Sequence, residues 1–359
     1  MKRYAIPLIG LLCFALSACP RLPSPTRVVI SCGPNDDLLN RVHYTNFTPG
    51  PPFTSMPTPD TQQINSDIQL DLAAAFTANP TFSRNELCPL DGIFINVAQC
   101  PSNPPGNAPD PNNCSGMADK DIAANSWGFR TPSNQKYVAI SLGLWRGNQC
   151  PAGQTICAPS FKPFLQRLAK ALLDKTAGKQ VSINPPTFQP STDTSGLSVL
   201  SALAHERGHI YWFEQFVQPP GPRTVTTTKT ATFCSGTIYP DGLWQGKPVD
   251  LPANRFVDFG FLHPNSPLAG LPTLLRSGNP HAVGVIDAIY AGGLDPSLLA
   301  AYSPYEEFVE AFQWSVLRNA GLSDLSVNVT GTVRPILHGG VGNMQWAQDK
   351  LQCFDSLSR

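Results

Sequence analysis

Charge is scarce in this chain of 359 residues: Asp, Glu, Lys and Arg make up 14% of it and cancel to a formal net charge of zero. No basic stretch stands out as the electrostatic footprint that nucleic acid requires, so nucleic acid is not expected as a partner. Glutamate is scarcest of the four, with only six (Glu86, Glu206, Glu214, Glu306, Glu307 and Glu310) against 19 aspartates. Past the N-terminus no apolar run reaches the roughly 20 residues that cross a bilayer. The ten cysteines form no C-x-x-C and no pair with zinc-knuckle spacing, which argues against thioredoxin-like chemistry and structural zinc. Internal repeats are also missing. Proline is plentiful, at 37 residues, and 42% of the chain is hydrophobic, enough to bury a sizeable core in one large domain or two lobes.

The N-terminus has the character of an address. Lys2 and Arg3 precede a short apolar stretch over 5–16, and Leu16-Ser17-Ala18-Cys19 follows at once, as in a secretory signal. The four residues resemble the lipobox of bacterial lipoproteins. That resemblance implies that 1–18 is removed and that Cys19 carries a lipid, holding the chain to a membrane, the outer membrane by preference, facing the periplasm or the cell surface. A plain signal peptide cut at an Ala-x-Ala-like site is the alternative. Pro20, Pro23 and Pro25 then begin a stiffened spacer. Setting aside Cys13 and Cys19 leaves Cys32, Cys88, Cys100, Cys114, Cys150, Cys157, Cys234 and Cys353, an even set suited to an oxidising compartment. Cys150 with Cys157, and Cys100 with Cys114, flank short loops and are expected to pair locally, but eight cysteines allow about 105 connectivities.

Residues 19–66 are rich in Pro, Thr and Asn and read as a tether and a meandering N-terminal extension. Helical spacing appears over 67–78, 162–177 and 197–216, and strand character over 92–98 and 137–145. The Asp and Asn residues of the 101–121 loop fit no EF-hand spacing. The third helix carries His205-Glu206-Arg207-Gly208-His209, an H-E-x-x-H motif. Histidines four apart share one helix face, so both imidazoles reach one zinc ion and Glu206 reaches the water on it. Six His and six Glu in 359 residues produce this motif by chance about once in 600 such chains.

An open, catalytic site needs a third protein ligand. The extended pattern H-E-x-x-H-x-x-G-x-x-H fails, because Trp212 and Gln215 occupy the two later positions. A G-T-x-D segment is approached only by Gly236-Thr237, with Asp241 two positions late. Tyr305-Glu306-Glu307-Phe308-Val309-Glu310-Ala311-Phe312 fits better: Glu306 and Glu310 share a helix face while Phe308 and Phe312 turn toward the core, and Ser303-Pro304 starts the helix. Glu307 is the fallback if that helix is rotated, and Asp258, His263 and Glu214 are further alternatives.

With these residues in view, the chain resembles gluzincin metallopeptidases, and 306–312 is similar to the E-x-F-x-E-A-F segment of anthrax lethal factor-like catalytic domains. The likeness covers the two helices, about 35 residues in all. It implies an α+β, zincin-like fold: a small mixed sheet with an active-site helix, loop-rich and disulfide-stapled, with an upper lobe over 67–216 and a lower lobe over 217–359. It implies Zn2+ as cofactor, held by His205, His209 and Glu306. Glu310 would orient a ligand histidine and Glu206 would serve as general base in hydrolysis of a peptide or protein by a monomeric enzyme. Zincins place an edge strand that binds substrate upstream of the active helix, and 137–145 is either that strand or an ordinary core strand; an oxyanion donor is also needed, for which Tyr302, Tyr305 and His338 are candidates, each also readable as a packed aromatic or a loop histidine. Gly208 is costly inside a helix, and it is either a point where another backbone approaches closely or a glycine that is simply tolerated. His43 and His281 have no pattern around them. Almost a hundred residues separate His209 from Glu306, so an insertion with Cys234 and Trp244 must be accommodated. Two other readings use the same residues: a zinc-stabilised binding or adhesion lipoprotein without turnover, and a hydrolase of cell-wall amide cross-links.

Overall fold

The computed structural model describes residues 30–34, 36–46, 55–97, 126–131, 133–146, 150, 154, 156–216, 270–291, 297–300, 304–338 and 341–342. Short runs of β-branched and aromatic residues build the first sheet. Strands β3 (Val42–Thr45), β4 (Gly92–Asn96) and β6 (Lys136–Ser141) are mutually parallel, and β5 (Trp127–Arg130) pairs antiparallel with β6, giving the order β3-β4-β6-β5. Every residue of β4 is buried, as expected for a parallel strand covered on both faces. Two strands that the composition did not signal, β1 (Ser31–Gly33) and β2 (Asp36–Asp37), form a small ribbon ahead of β3. Part of the expected meandering extension is therefore strand, and β3 belongs to the main sheet.

The strand expected over 137–145 stops at Ser141. Its hydroxyl accepts from the N–H of Gly143 and opens a 3-10 turn, Leu142–Trp145, whose four residues are buried. That strand, β6, is flanked by β4 and β5, so of its two readings the core strand holds and the edge strand does not. Among the described residues the end strands are β3 and β5, the latter a WGFR segment whose glycine and arginine dilute any strand signal.

Helix α1 (Ser66–Ala78) starts where the Asn65 side chain accepts from the Asp67 N–H. A single turn α2 (Pro80–Phe82) and a π-helical turn, Ser83–Leu87, lead into β4. Helix α3 (Phe161–Ala177), strand β7 (Thr187–Pro190) and helix α4 (Ser195–Phe216) follow. Farther along come α5 (Leu271–Ser277), α6 (His281–Ala291) and α7 (Pro304–Asn319). Strands β8 (Leu325–Val329), β9 (Thr332–His338) and β10 (Val341–Gly342) join β7 in a second, antiparallel sheet of order β10-β9-β8-β7. Pairing β7 with β8 brings the segment before α4 beside the segment after α7.

Helix α4 is the pivot of the packing, with α1, α7 and β5 against it. Buried Leu197, Leu200, Leu203 and Ile210 of α4 share one core with Phe308, Phe312 and Leu317 of α7. Its first turn is anchored by Asp71, buried in α1. That carboxylate accepts from Trp145 Nε1 at 3.0 Å and hydrogen-bonds the Ser195 side chain, while burial raises its pKa against both bonds. Cys32–Cys88 ties β1 to the end of the π-helical turn, and Cys150–Cys157 closes its local loop as expected. Cys100, Cys114, Cys234 and Cys353 lie outside the described residues, as do Cys19 and the 1–18 segment. The architecture is thus mixed α+β with small sheets and disulfide cross-links. No helix among the described residues is long and apolar enough to cross a membrane.

Candidate metal centre

Helix α4 carries His205, Glu206 and His209 toward α7, and their ligand atoms lie within 4.8 Å of one another. The turn-by-turn placement follows from the helix: four residues advance about 400°, so two histidines four apart stack on one face. His205 Nε2 lies 3.1 Å from His209 Nε2 and 3.5 Å from Glu306 Oε2 of α7. On the far side of the same ring, His205 Nδ1 lies 3.1 Å from Glu310 Oε1 and 3.2 Å from Gln313 Oε1. Both groups offer acceptors, so Nδ1 carries the proton, and the Nε2 side of the ring faces the cluster.

Close approach of α4 to its neighbours depends on two glycines. A Cβ on Gly208 would sit 3.2 Å from Val309 Cγ1, 3.3 Å from Phe312 Cδ1 and 3.3 Å from Val309 Cα. Of the two readings of Gly208, close backbone approach is the one that holds, and it lets α7 bring its glutamates to the histidines. On the other side a Cβ at Gly128 would overlap the carbonyl oxygen of Glu206. The Gly128 N–H donates to the Glu206 carboxylate, so β5 is laid directly along the motif.

Burial dominates the electrostatics. It pushes Glu206 up to about 8, opposed by His205, reinforced by the like charge of Glu306 and opposed again by the Gly128 N–H. For His205, burial opposes the charged form, but the Glu310 hydrogen bond and the carboxylates of Glu206, Glu306 and Glu310 outweigh it and push the ring up to about 9. Burial, with the neighbouring His205, drives His209 well below its ordinary value. Behind the motif Arg207 pairs with Glu86, Nη2 to Oε2 at 2.7 Å, and lies over the Tyr211 ring. Tyr211 in turn stacks on Phe308 and Phe312. Glu86, the one glutamate outside the two helices, thus also contacts α4.

The donor set fits a metal ion. Ligands about 2.05 Å from a tetrahedral zinc are separated by about 3.3 Å; the two separations measured from His205 Nε2 are 3.1 and 3.5 Å. Glu206 Oε2 is buried, with no hydrogen-bond partner among the described residues, as befits a group reserved for a water or substrate.

Of the residues singled out from the sequence, His205, Glu206, His209, Glu306 and Glu310 come together. The side chains of Glu307 and Glu214 lie outside the described residues, as do Asp258, His263 and the segment with Gly236 and Asp241. The oxyanion candidates are likewise beyond reach: Tyr302 is outside the described residues, and so are the side chains of Tyr305, in the first turn of α7, and His338, at the end of β9. His43 on β3 and His281 at the start of α6 take no part in the cluster. Three contributors escaped sequence reasoning. Gln313 is three residues past Glu310, and Ser201 is four before His205, spacings that put each on the site face of its helix. Gly128 had no such signal. Comparisons with known protein families, with curated proteins and with solved structures each find no match, so what defines the class is this buried histidine–glutamate centre between two helices of an α+β fold.

Proposed function

We propose that the chain is a zinc-dependent metallopeptidase of the gluzincin type, with a zincin-like fold, in which His205, His209 and Glu306 hold the ion. The observation that carries this reading is Glu306 and Glu310 meeting opposite nitrogens of the same His205 ring, one at the cluster side and one behind it. Zinc bound there supplies Lewis-acid polarisation of the scissile carbonyl and acidifies the attacking water. Glu206, buried beside the ion and ionised in its field, would take a proton as the water oxygen bonds to the carbonyl carbon, then return it to the amine nitrogen as the C–N bond breaks. The Gly128 N–H holds the Glu206 carboxylate in place through both transfers. Strand β5, rather than β6, stands at the end of the sheet among the described residues and would pair with an extended substrate.

Lipidation of Cys19, attachment to the outer membrane, a peptide or protein substrate and a monomeric state complete the proposal; the two disulfides among the described residues agree with an exported chain. The test compares wild type with Glu206→Gln, Glu306→Ala and Glu307→Ala on a mixed peptide library and on peptidoglycan fragments, with zinc content measured for each. Wild type should hold about one zinc per chain and cut peptides. Glu206→Gln should keep the metal and lose turnover by a factor on the order of 10³ or more. Glu306→Ala should lose the metal and Glu307→Ala should retain it. Zinc-loaded wild type that hydrolyses neither substrate, or fully active Glu206→Gln, refutes the mechanism.

A further inference from the structure

The geometry points to Gln313 and Ser201 as positioning residues for His205: a neutral strap across α4 and α7 that fixes the ring for metal binding. The inference rests on the proposed zinc site and deepens it. His205 Nδ1 has two acceptors, Glu310 at 3.1 Å and Gln313 Oε1 at 3.2 Å. The other end of the Gln313 amide donates from Nε2 to Ser201 Oγ, one turn before His205 on α4. Ser201 and Gln313 are both buried, at 0% and 3% exposure, so neither bond competes with bulk water. The amide therefore leaves α7, touches α4 at two points one turn apart, and ties the rotation of α4 to the orientation of the ring.

A neutral group at 313 has an electrostatic reason. Glu206, Glu306 and Glu310 already put three carboxylates around two imidazoles in a buried site. A fourth carboxylate would add uncompensated charge, whereas an amide supplies the second acceptor without it. It also supplies the donor that Ser201 receives. Outer contacts of this type tune metal affinity by about 10–100-fold.

The experiment measures zinc affinity by competition with a chromophoric chelator, and the visible spectrum after cobalt substitution, for wild type, Gln313→Leu, Gln313→Glu and Ser201→Ala. Thermal melts of the metal-free proteins run alongside. Gln313→Leu keeps the volume and removes the acceptor; it should weaken zinc about tenfold and shift the cobalt bands. Gln313→Glu restores an acceptor to Nδ1, and the Ser201 hydroxyl can turn to donate to it; its added charge should lower the metal-free melting temperature, whereas zinc offsets that charge, so this variant should bind zinc within about threefold of wild type. Ser201→Ala should fall between, and it serves if Gln313→Leu does not fold. Affinities all within twofold of wild type would overturn the assignment. Equal losses for Gln313→Leu and Gln313→Glu would also overturn it, since a packing role alone predicts them. If wild type itself binds no zinc, the metal site fails first, and this inference with it.

Discussion

Replacing Gly208 by alanine sets helix propensity against helix packing in one residue. Alanine gains about 1 kcal/mol over glycine in a helix interior. Against that gain, its Cβ lands 3.3 Å from Val309 Cα and 3.2–3.3 Å from the Val309 and Phe312 side chains. An ordinary carbon contact is about 3.5–4.0 Å, and Val309 Cα is backbone, so α7 must move a few tenths of an ångström away from α4. Overpacking of this kind costs about 1–3 kcal/mol, leaving a net loss of about 0–2 kcal/mol. The same displacement carries Glu306 and Glu310 away from His205, whose Nε2 and Nδ1 lie 3.5 and 3.1 Å from them. Zinc affinity should therefore fall about tenfold or more while the melting temperature of the metal-free protein changes by only a few degrees. Chelator competition and calorimetric melts on wild type and Gly208→Ala measure both. A variant that melts higher than wild type and binds zinc equally well would show that the interhelical contact imposes no constraint, and would refute the reasoning.

Glu206→Gln should alter the pH dependence of metal-free stability. Because the folded pKa of Glu206 is raised from 4.5 to about 8, its contribution is full below about pH 4.5 and lost as pH rises through 8. The glutamine variant, melted in chelator, should exceed wild type at pH 8 and converge with it near pH 4; parallel profiles would contradict the buried carboxyl. His205, raised to about 9, is protonated at pH 7 in the metal-free protein, so zinc binding should release about one proton from it. Titration calorimetry in buffers of different ionisation enthalpy reads that release directly, and buffer-independent heats would exclude it. Cys32–Cys88 spans 56 positions and Cys150–Cys157 only 7. Loop-closure entropy then predicts losses of about 4 and 2–3 kcal/mol when each pair is changed to serine; denaturant unfolding showing the reverse order would count against that account.

Periodicity placed the helices well. The expected spans 67–78, 162–177 and 197–216 match Ser66–Ala78, Phe161–Ala177 and Ser195–Phe216, because long helical segments repeat their apolar spacing over several turns. Strand signals are shorter and carry no information on neighbours. The run over 137–145 joined a real strand to a buried 3-10 turn equally rich in leucine and tryptophan, and nothing in its composition distinguished an inner strand from an edge. Strand β5, four residues with a glycine and an arginine, left too little pattern to be seen.

The sequence by itself determined the local chemistry: an H-E-x-x-H on one helix face and two glutamates on one face of another, since helical spacing converts residue number directly into direction. It could not place those faces against each other across almost a hundred intervening residues. That relation comes from tertiary packing, in which Gly208 admits the backbone of Val309, Gly128 seats β5 on Glu206, and Arg207 draws Glu86 to the back of the motif. Contacts at such separations depend on which surfaces exclude water together, a property of the folded core that no single segment carries.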